Sequence, residues 1–192
     1  TGADVPDRTP EPDPDLITWI LSPIWTEECI SRFGDDPTVL PVDVRGQDCI
    51  FGDREATRDV YLVGGSHAEQ WVIPLDVLGR EHGFRVVPLV RQSCPTFATE
   101  RDGLFEPDCE TFNEHVLERL AEADPELVIS TTSRPRIEHG GRTEEIPASY
   151  PTFWRFLAEH DIPFAGLRDN PWSTFPDGTE LSVPVCMLDI DD

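Results

Sequence analysis

The stretch Asp59-Val60-Tyr61-Leu62-Val63-Gly64-Gly65-Ser66-His67-Ala68-Glu69-Gln70-Trp71 decides how this chain is read. Its first five residues are a short, mostly apolar run rich in β-branched and aromatic side chains, the pattern of a buried strand. Two glycines then allow the backbone to turn sharply without a Cβ clash. His67 to His82, with Gly83 behind it, predicts a helix that Pro74 kinks or splits. Ser66 therefore stands where a strand ends and a helix begins. The same residues also allow a purely local reading. Ser66-His67-Ala68-Glu69 is an S-x-x-E capping box, in which the serine only caps the helix.

Outward from this stretch the chain alternates. Phe84 to Val90 predicts a second strand, followed by a loop holding Cys94 and Cys109. A helix from about Thr111 to Ala123 and a strand at Leu127 to Ser130 follow. After a polar loop from Arg134 to Pro147, a helix is expected at Tyr150 to His160 and a strand at Ile162 to Leu167. Strands alternating with helices give an α/β fold, a three-layer α/β/α sandwich around a mainly parallel sheet of the flavodoxin-like kind. In such sheets ligands bind beyond the carboxyl ends of the strands, where Ser66 lies. The chain of 192 residues suits one domain. Residues 1–15, rich in Pro and Asp, read as an extended arm. Residues 16–192 read as the single domain, opening with an irregular lead-in to Gly52.

Composition narrows the partners. The net charge of -23 arises from 38 acidic and 15 basic residues, and all fifteen are Arg. The lack of Lys fits the coding bias of a GC-rich genome better than a halophilic origin. So acidic a surface repels nucleic acid and anionic headgroups. No apolar run reaches the roughly 18–20 residues that span a bilayer; Leu16 to Trp25 is short and broken by Pro23. The first residue is Thr1 and no signal peptide is evident, so Thr1 reads as a processed or recombinant end, which leaves room for a membrane part upstream. The five Cys, at 29, 49, 94, 109 and 186, form no C-x-x-C and no Cys/His metal spacing, so neither metal nor cofactor is expected. Cys29 with Cys49 and Cys94 with Cys109 would each close a short loop, pointing to an oxidising compartment. Buried free thiols in a cytosolic protein are the alternative. The acidic ends, EPDPD and DIDD, read as solvated tails rather than calcium sites.

A serine nucleophile needs exposure, a base, and donors for the developing oxyanion. The Ser66 N–H, at the start of a helix, is a candidate donor. His67 follows directly, but neighbours at a helix start point in different directions, so it reads as lining the crevice or capping rather than as the base. His82 and His160 fall near helix C-termini, where a cation is favoured, and His115 and His139 read as surface residues. Trp71 and Trp154 read as core. Trp25 and Trp172 fall in loops and could either stack on a sugar or simply pack.

The stretch DVYLVGGSHAEQW resembles block I of the SGNH hydrolase superfamily, a hydrophobic strand followed by G-D-S. In detail it looks like the SGNH domain fused to acyltransferase-3 membrane proteins, with G-D-S-H-A-x-Q-W. Ser66, His67, Ala68, Gln70 and Trp71 match that pattern. Ser93-Cys94-Pro95, Cys109 with Phe112-Asn113, Leu127-Val128-Ile129, Asp169-Asn170-Pro171 and Val183-Pro184-Val185-Cys186 resemble later segments in order. The resemblance covers roughly Asp59 to Cys186, and block I is its specific part.

The resemblance implies an extracytoplasmic domain, tethered to the plasma membrane through an upstream region. It would pass an acyl group, usually acetyl, from a membrane acyltransferase domain to a carbohydrate or glycolipid acceptor. Ser66 would carry the acyl group. The family's base is the His of a C-terminal D-x-x-H, and no His of this chain follows an Asp by three positions. That and an unmatched Cys186 create the expectation that the segment is truncated or cleaved, or that the protein is a degenerate member. Gly65 stands where the family has Asp. The family's other oxyanion donors come from a later Gly and Asn, for which Ser93 and the strand end Ser130-Thr131-Thr132 are candidates. Asn113, inside a helix, reads as structural. Two rival functions remain: an SGNH scaffold that binds a glycan or a partner protein without catalysis, and a flavodoxin-like ligand binder, for which the phosphate-cradling loop is missing.

Overall fold

The computed structural model describes residues 22–95, 97, 108–135 and 144–170. The acidic arm at residues 1–15, His139, Trp172 and Cys186 lie outside these residues.

The lead-in is more regular than its sequence suggests. Two short helices, α1 (Pro23–Thr26) and α2 (Pro41–Arg45), each begin on a proline. Proline is tolerated there because the first helical N–H groups have no intrahelical acceptor. A 3₁₀ turn (Gly46–Cys49) then leads into β1 (Phe51–Gly52).

The central unit follows as expected. Strand β2 (Asp59–Gly64) turns into α3 (Ser66–Glu69) and α4 (Val72–His82), and β3 (Arg85–Val90) returns. Helix α5 (Cys109–Ala123) connects to β4 (Leu127–Thr131). The polar loop contains a small hairpin, β5 (Arg134–Pro135) with β6 (Glu144–Glu145). Helix α6 (Tyr150–Glu159) leads to β7 (Phe164–Leu167).

The break in the first long helix falls at Gln70-Trp71, not at Pro74. Pro74 occupies the first turn of α4, where its missing N–H costs no helical bond. Gly83 ends α4 with φ of 69°, the left-handed cap that glycine takes without strain.

The main sheet has the order β1-β3-β2-β4-β7, with β1 antiparallel and the other pairs parallel. The fold is thus an α/β sandwich with a mostly parallel sheet. Strand β2 lies at its centre, and the chain moves to β3 on one side and to β4 on the other. The carboxyl end of β2 is therefore at the switch point where such sheets open a crevice. Alternation along β2 serves two cores. Tyr61 and Val63 pack with Phe112, Val116, Leu120, Phe153 and Leu157 of α5 and α6. Val60 and Leu62 pack with Ala68, Val72 and Leu75 of α3 and α4, and with Ile24 and Cys29 of the lead-in.

Both short-loop cysteine pairs are disulfides: Cys29 with Cys49, 20 residues apart, and Cys94 with Cys109, 15 residues apart. No helix among the described residues is long and apolar enough to cross a membrane.

Candidate active site

The turn after β2 is tightly enclosed. Gly64 and Gly65 are buried, while Ser66 is exposed. Gly64 has φ of 140°, a conformation that favours glycine. A Cβ on Gly65 would lie 2.7 Å from the Cys94 carbonyl oxygen and 3.2 Å from the Cys94 nitrogen. The loop that follows β3 therefore presses directly on the turn, and no side chain fits at position 65. The family's Asp at this position would require the Cys94 backbone to shift.

Ser66 does not cap the helix. Gly65 is the N-cap residue, and its carbonyl accepts the N–H groups of Ala68 at 2.9 Å and Glu69 at 3.0 Å. The capping-box reading is thereby replaced: Ser66 is the exposed first helical residue, and no side-chain bond caps this helix.

Three elements hold the turn from the sides. The Arg91 N–H donates to Gly64 O at 3.0 Å, and the Cys94 N–H donates to Arg91 O at 3.2 Å. The Arg91 side chain is fully buried, with its guanidinium 3.3 Å from the Asp108 carboxylate, 3.3 Å from Ser31 Oγ and 3.4 Å from Asp35 O. It also lies over the Phe112 ring. From the other neighbouring strand, the buried Ser130 hydroxyl donates to Val63 O at 2.8 Å.

Asp169 is brought to this turn from far along the chain. Its carboxylate accepts the His67 Nδ1–H at 2.7 and 2.8 Å, across 102 residues. Asp169 is almost fully buried, whereas the His67 side chain is 39% exposed at the crevice mouth. The Asp169 N–H donates to Ser133 Oγ at 3.1 Å, and the Asn170 N–H donates to Asp169 Oδ1 at 2.7 Å. Asn170 Nδ2 also reaches Gln70 Oε1, and Gln70 Nε2 donates back to His67 O at 2.8 Å. A carboxylate on Nδ1 fixes both the tautomer and the plane of an imidazole. His67 is therefore more than a lining residue: it is one half of an oriented Asp–His pair beside Ser66.

Among the other residues singled out by sequence, Ser93 is exposed at the same end of the sheet. It has φ of 53°, unusual for a residue with a Cβ. Neither the Ser66 nor the Ser93 N–H donates to a backbone carbonyl among the described residues. Thr131 is buried in register with Leu167. Thr132 is committed to the same partner, its N–H at 2.7 Å and its hydroxyl at 3.0 Å from Leu167 O. That leaves Thr132 without a donor for an oxyanion. Asn113 is buried in α5, as a structural residue would be. Trp71 and Trp154 are half-buried, and their indole N–H groups find no acceptor among the described residues. Trp25 falls in α1, not a loop, with the Arg32 guanidinium over its ring. No group of three or more His, Cys, Asp or Glu suited to a metal occurs among the described residues.

A family model for the SGNH domain (fused to AT3 domains) matches residues 29–163, more than two thirds of the chain. The protein belongs to that family. The match takes in the lead-in from Cys29 as well as the sheet. Comparison with curated proteins and with solved structures found no match.

Proposed function

We propose that the protein is an extracytoplasmic O-acyltransferase or acyl-esterase domain. Ser66 carries the acyl group, acetyl by the family resemblance, and the acceptor is a cell-envelope glycan or glycolipid hydroxyl. One observation carries this reading: an exposed serine, capping nothing, is set at the carboxyl end of the central parallel strand beside a histidine oriented by a buried carboxylate. The Ser66 N–H and the Ser93 N–H are suited to receive the oxyanion of a tetrahedral intermediate, being without backbone acceptors. Attack by Ser66 Oγ on an acyl donor would form an ester and release the donor's alcohol. Attack on that ester by a glycan hydroxyl or by water would then regenerate the serine. A membrane acyltransferase domain is the partner that the family description supports, and the two disulfides suit an oxidising compartment outside the cytoplasm.

The test is labelling of the folded chain with a fluorophosphonate, together with turnover of p-nitrophenyl acetate. Both are expected to depend on Ser66 and to vanish in Ser66→Ala. Folded protein that shows neither supports a second reading, an SGNH scaffold that binds glycan or a partner without chemistry. The observation favouring that second reading is the closed space at Gly65, which builds this turn differently from the family's G-D-S.

A further inference from the structure

The lead-in lines an open, solvent-facing cavity of about 390 Å³ that the proposed chemistry does not use. Its size falls within the range of small-molecule sites. Ile30 and Ser31 are its buried residues; Asp35 and Asp36 line it with Arg32, and Val39, Val44 and Arg45 complete it. We propose that this cavity is a subsite for a neutral carbohydrate, next to the nucleophile turn.

Four observations carry the assignment. The first is position. Ser31 bridges Arg91 in parallel, its N–H on Val90 O at 2.9 Å and its carbonyl accepting the Gln92 N–H at 2.8 Å. On the other side, β2 and β3 pair Gly64 with Val90, so Arg91 comes next to Gly65. Ser31, Arg91 and Gly65 thus stand in one row at the carboxyl end of the sheet. At about 4.8 Å per strand, Ser31 lies roughly 10 Å from the turn.

The second is construction. Every lining residue except Glu28 falls inside the loop that Cys29–Cys49 closes. Glu28 is ion-paired to Arg45 across it. Arg32 is held by its N–H on Asp35 Oδ2 at 2.7 Å, by Nη2 on Trp25 O at 3.2 Å and by the Trp25 ring. Asp36 accepts both the N–H and the hydroxyl of Thr38, which holds its carboxyl below the ordinary range. A shape fixed before binding loses little entropy when a ligand arrives.

The third is chemistry. Carboxylates of Glu28, Asp35 and Asp36 and guanidiniums of Arg32 and Arg45 line the wall, acceptors and donors of the kind that hydroxyls can engage. Ile30, Val39 and Val44 offer apolar surface to the C–H faces of a sugar ring, and Val44 is 71% exposed.

The fourth is charge. Three acids face two arginines here, on a chain of net charge -23, which disfavours an anionic ligand. A cationic ligand would have to displace Arg45 from Glu28. A neutral polyhydroxyl compound meets neither cost.

As a glycan subsite the cavity deepens the transferase reading, but its test is independent of the chemistry. Full-chain Ser66→Ala protein is titrated with maltose, cellobiose and N,N′-diacetylchitobiose, and with glucuronate for comparison. Saturation-transfer NMR and the fluorescence of Trp25 beneath Arg32, with Trp25→Phe as control, report binding. At least one neutral disaccharide is expected to bind, and more tightly than glucuronate. Val44→Trp, a change at an exposed position that fills the cavity, is expected to weaken binding at least tenfold, and Asp36→Ala to weaken it as well. If no neutral sugar binds, or if binding is unchanged in both variants, the assignment is overturned. Ser66-dependent p-nitrophenyl acetate turnover without sugar binding sinks this inference alone. Sugar binding without such turnover sinks the transferase reading alone.

Discussion

His67 and Asp169, 102 residues apart, meet with Nδ1 2.7 Å from the carboxylate, immediately beside the exposed Ser66. The pair fastens the segment after β7 to the helix that begins at the candidate nucleophile. Removing the buried partner leaves the His67 imidazole Nδ1–H and the Asn170 N–H without this acceptor. Asp169→Ala is therefore expected to lower stability by about 2–3 kcal/mol and Asp169→Asn by less, read as a shift in the urea midpoint. Ester turnover is expected to fall in both, and more steeply than stability in Asp169→Asn, because an amide no longer supplies the carboxylate acceptor that fixes the His67 ring through Nδ1.

Ser66→Ala separates a nucleophile from a cap. Loss of a capping hydroxyl costs typically about 1 kcal/mol. Because Gly65 is the N-cap here, Ser66→Ala is expected to change stability by less than about 0.5 kcal/mol. A larger loss in thermal or urea unfolding would return Ser66 to a structural role.

Gly65 offers no space. A new Cβ meets the Cys94 carbonyl oxygen at 2.7 Å, and that atom belongs to backbone anchored by a disulfide. Gly65→Ala is expected to cost about 1–3 kcal/mol. Gly65→Asp, which restores the family's residue, is expected to cost at least as much and to reduce turnover rather than improve it.

The two disulfides are expected to differ in function more than in stability. Each closes a loop of 15 to 20 residues, worth about 3 kcal/mol in the chain-entropy model. Removing Cys94–Cys109 by paired Ala substitution frees the backbone that presses on Gly65 and carries Ser93, so p-nitrophenyl acetate turnover is expected to fall with it. Removing Cys29–Cys49 is expected to spare that turnover.

Tyr61 gives the pH dependence a direction. Burial beneath α5 and α6 raises its pKa above the ordinary 10.0, and the nearby Asp59 adds to the rise. Above about pH 10 the unfolded chain releases the Tyr61 proton while the folded one retains it. Stability is therefore present below that pH and lost as pH rises through the folded value. Tyr61→Phe is expected to flatten this alkaline decline in the urea midpoint.

Local pattern was enough for most of the sheet. The run from Asp59 to Val63, the glycines behind it and the later alternations are strong signals, because burial and turning demand particular residue types over a few positions. The lead-in and the β5–β6 hairpin were not legible. Their strands are two residues long, and their shape comes from contacts such as Arg91 with Asp35 and Cys29 with Cys49. Asp169 carried a resemblance but no assignable role, since nothing near it in sequence shows that its carboxylate is buried against His67.

The sequence by itself determined that a parallel sheet would form, that Ser66 would stand at the carboxyl end of one of its strands, and that the cysteines at 29, 49, 94 and 109 could pair at short range. These are consequences of local periodicity, glycine geometry and spacing. Only the tertiary structure decided that Gly65 caps in place of Ser66, that Cys94 fills the space where a side chain would go, and that Asp169 orients His67. Each of those depends on atoms brought together from distant parts of the chain, and their packing decides which of two locally allowed readings survives.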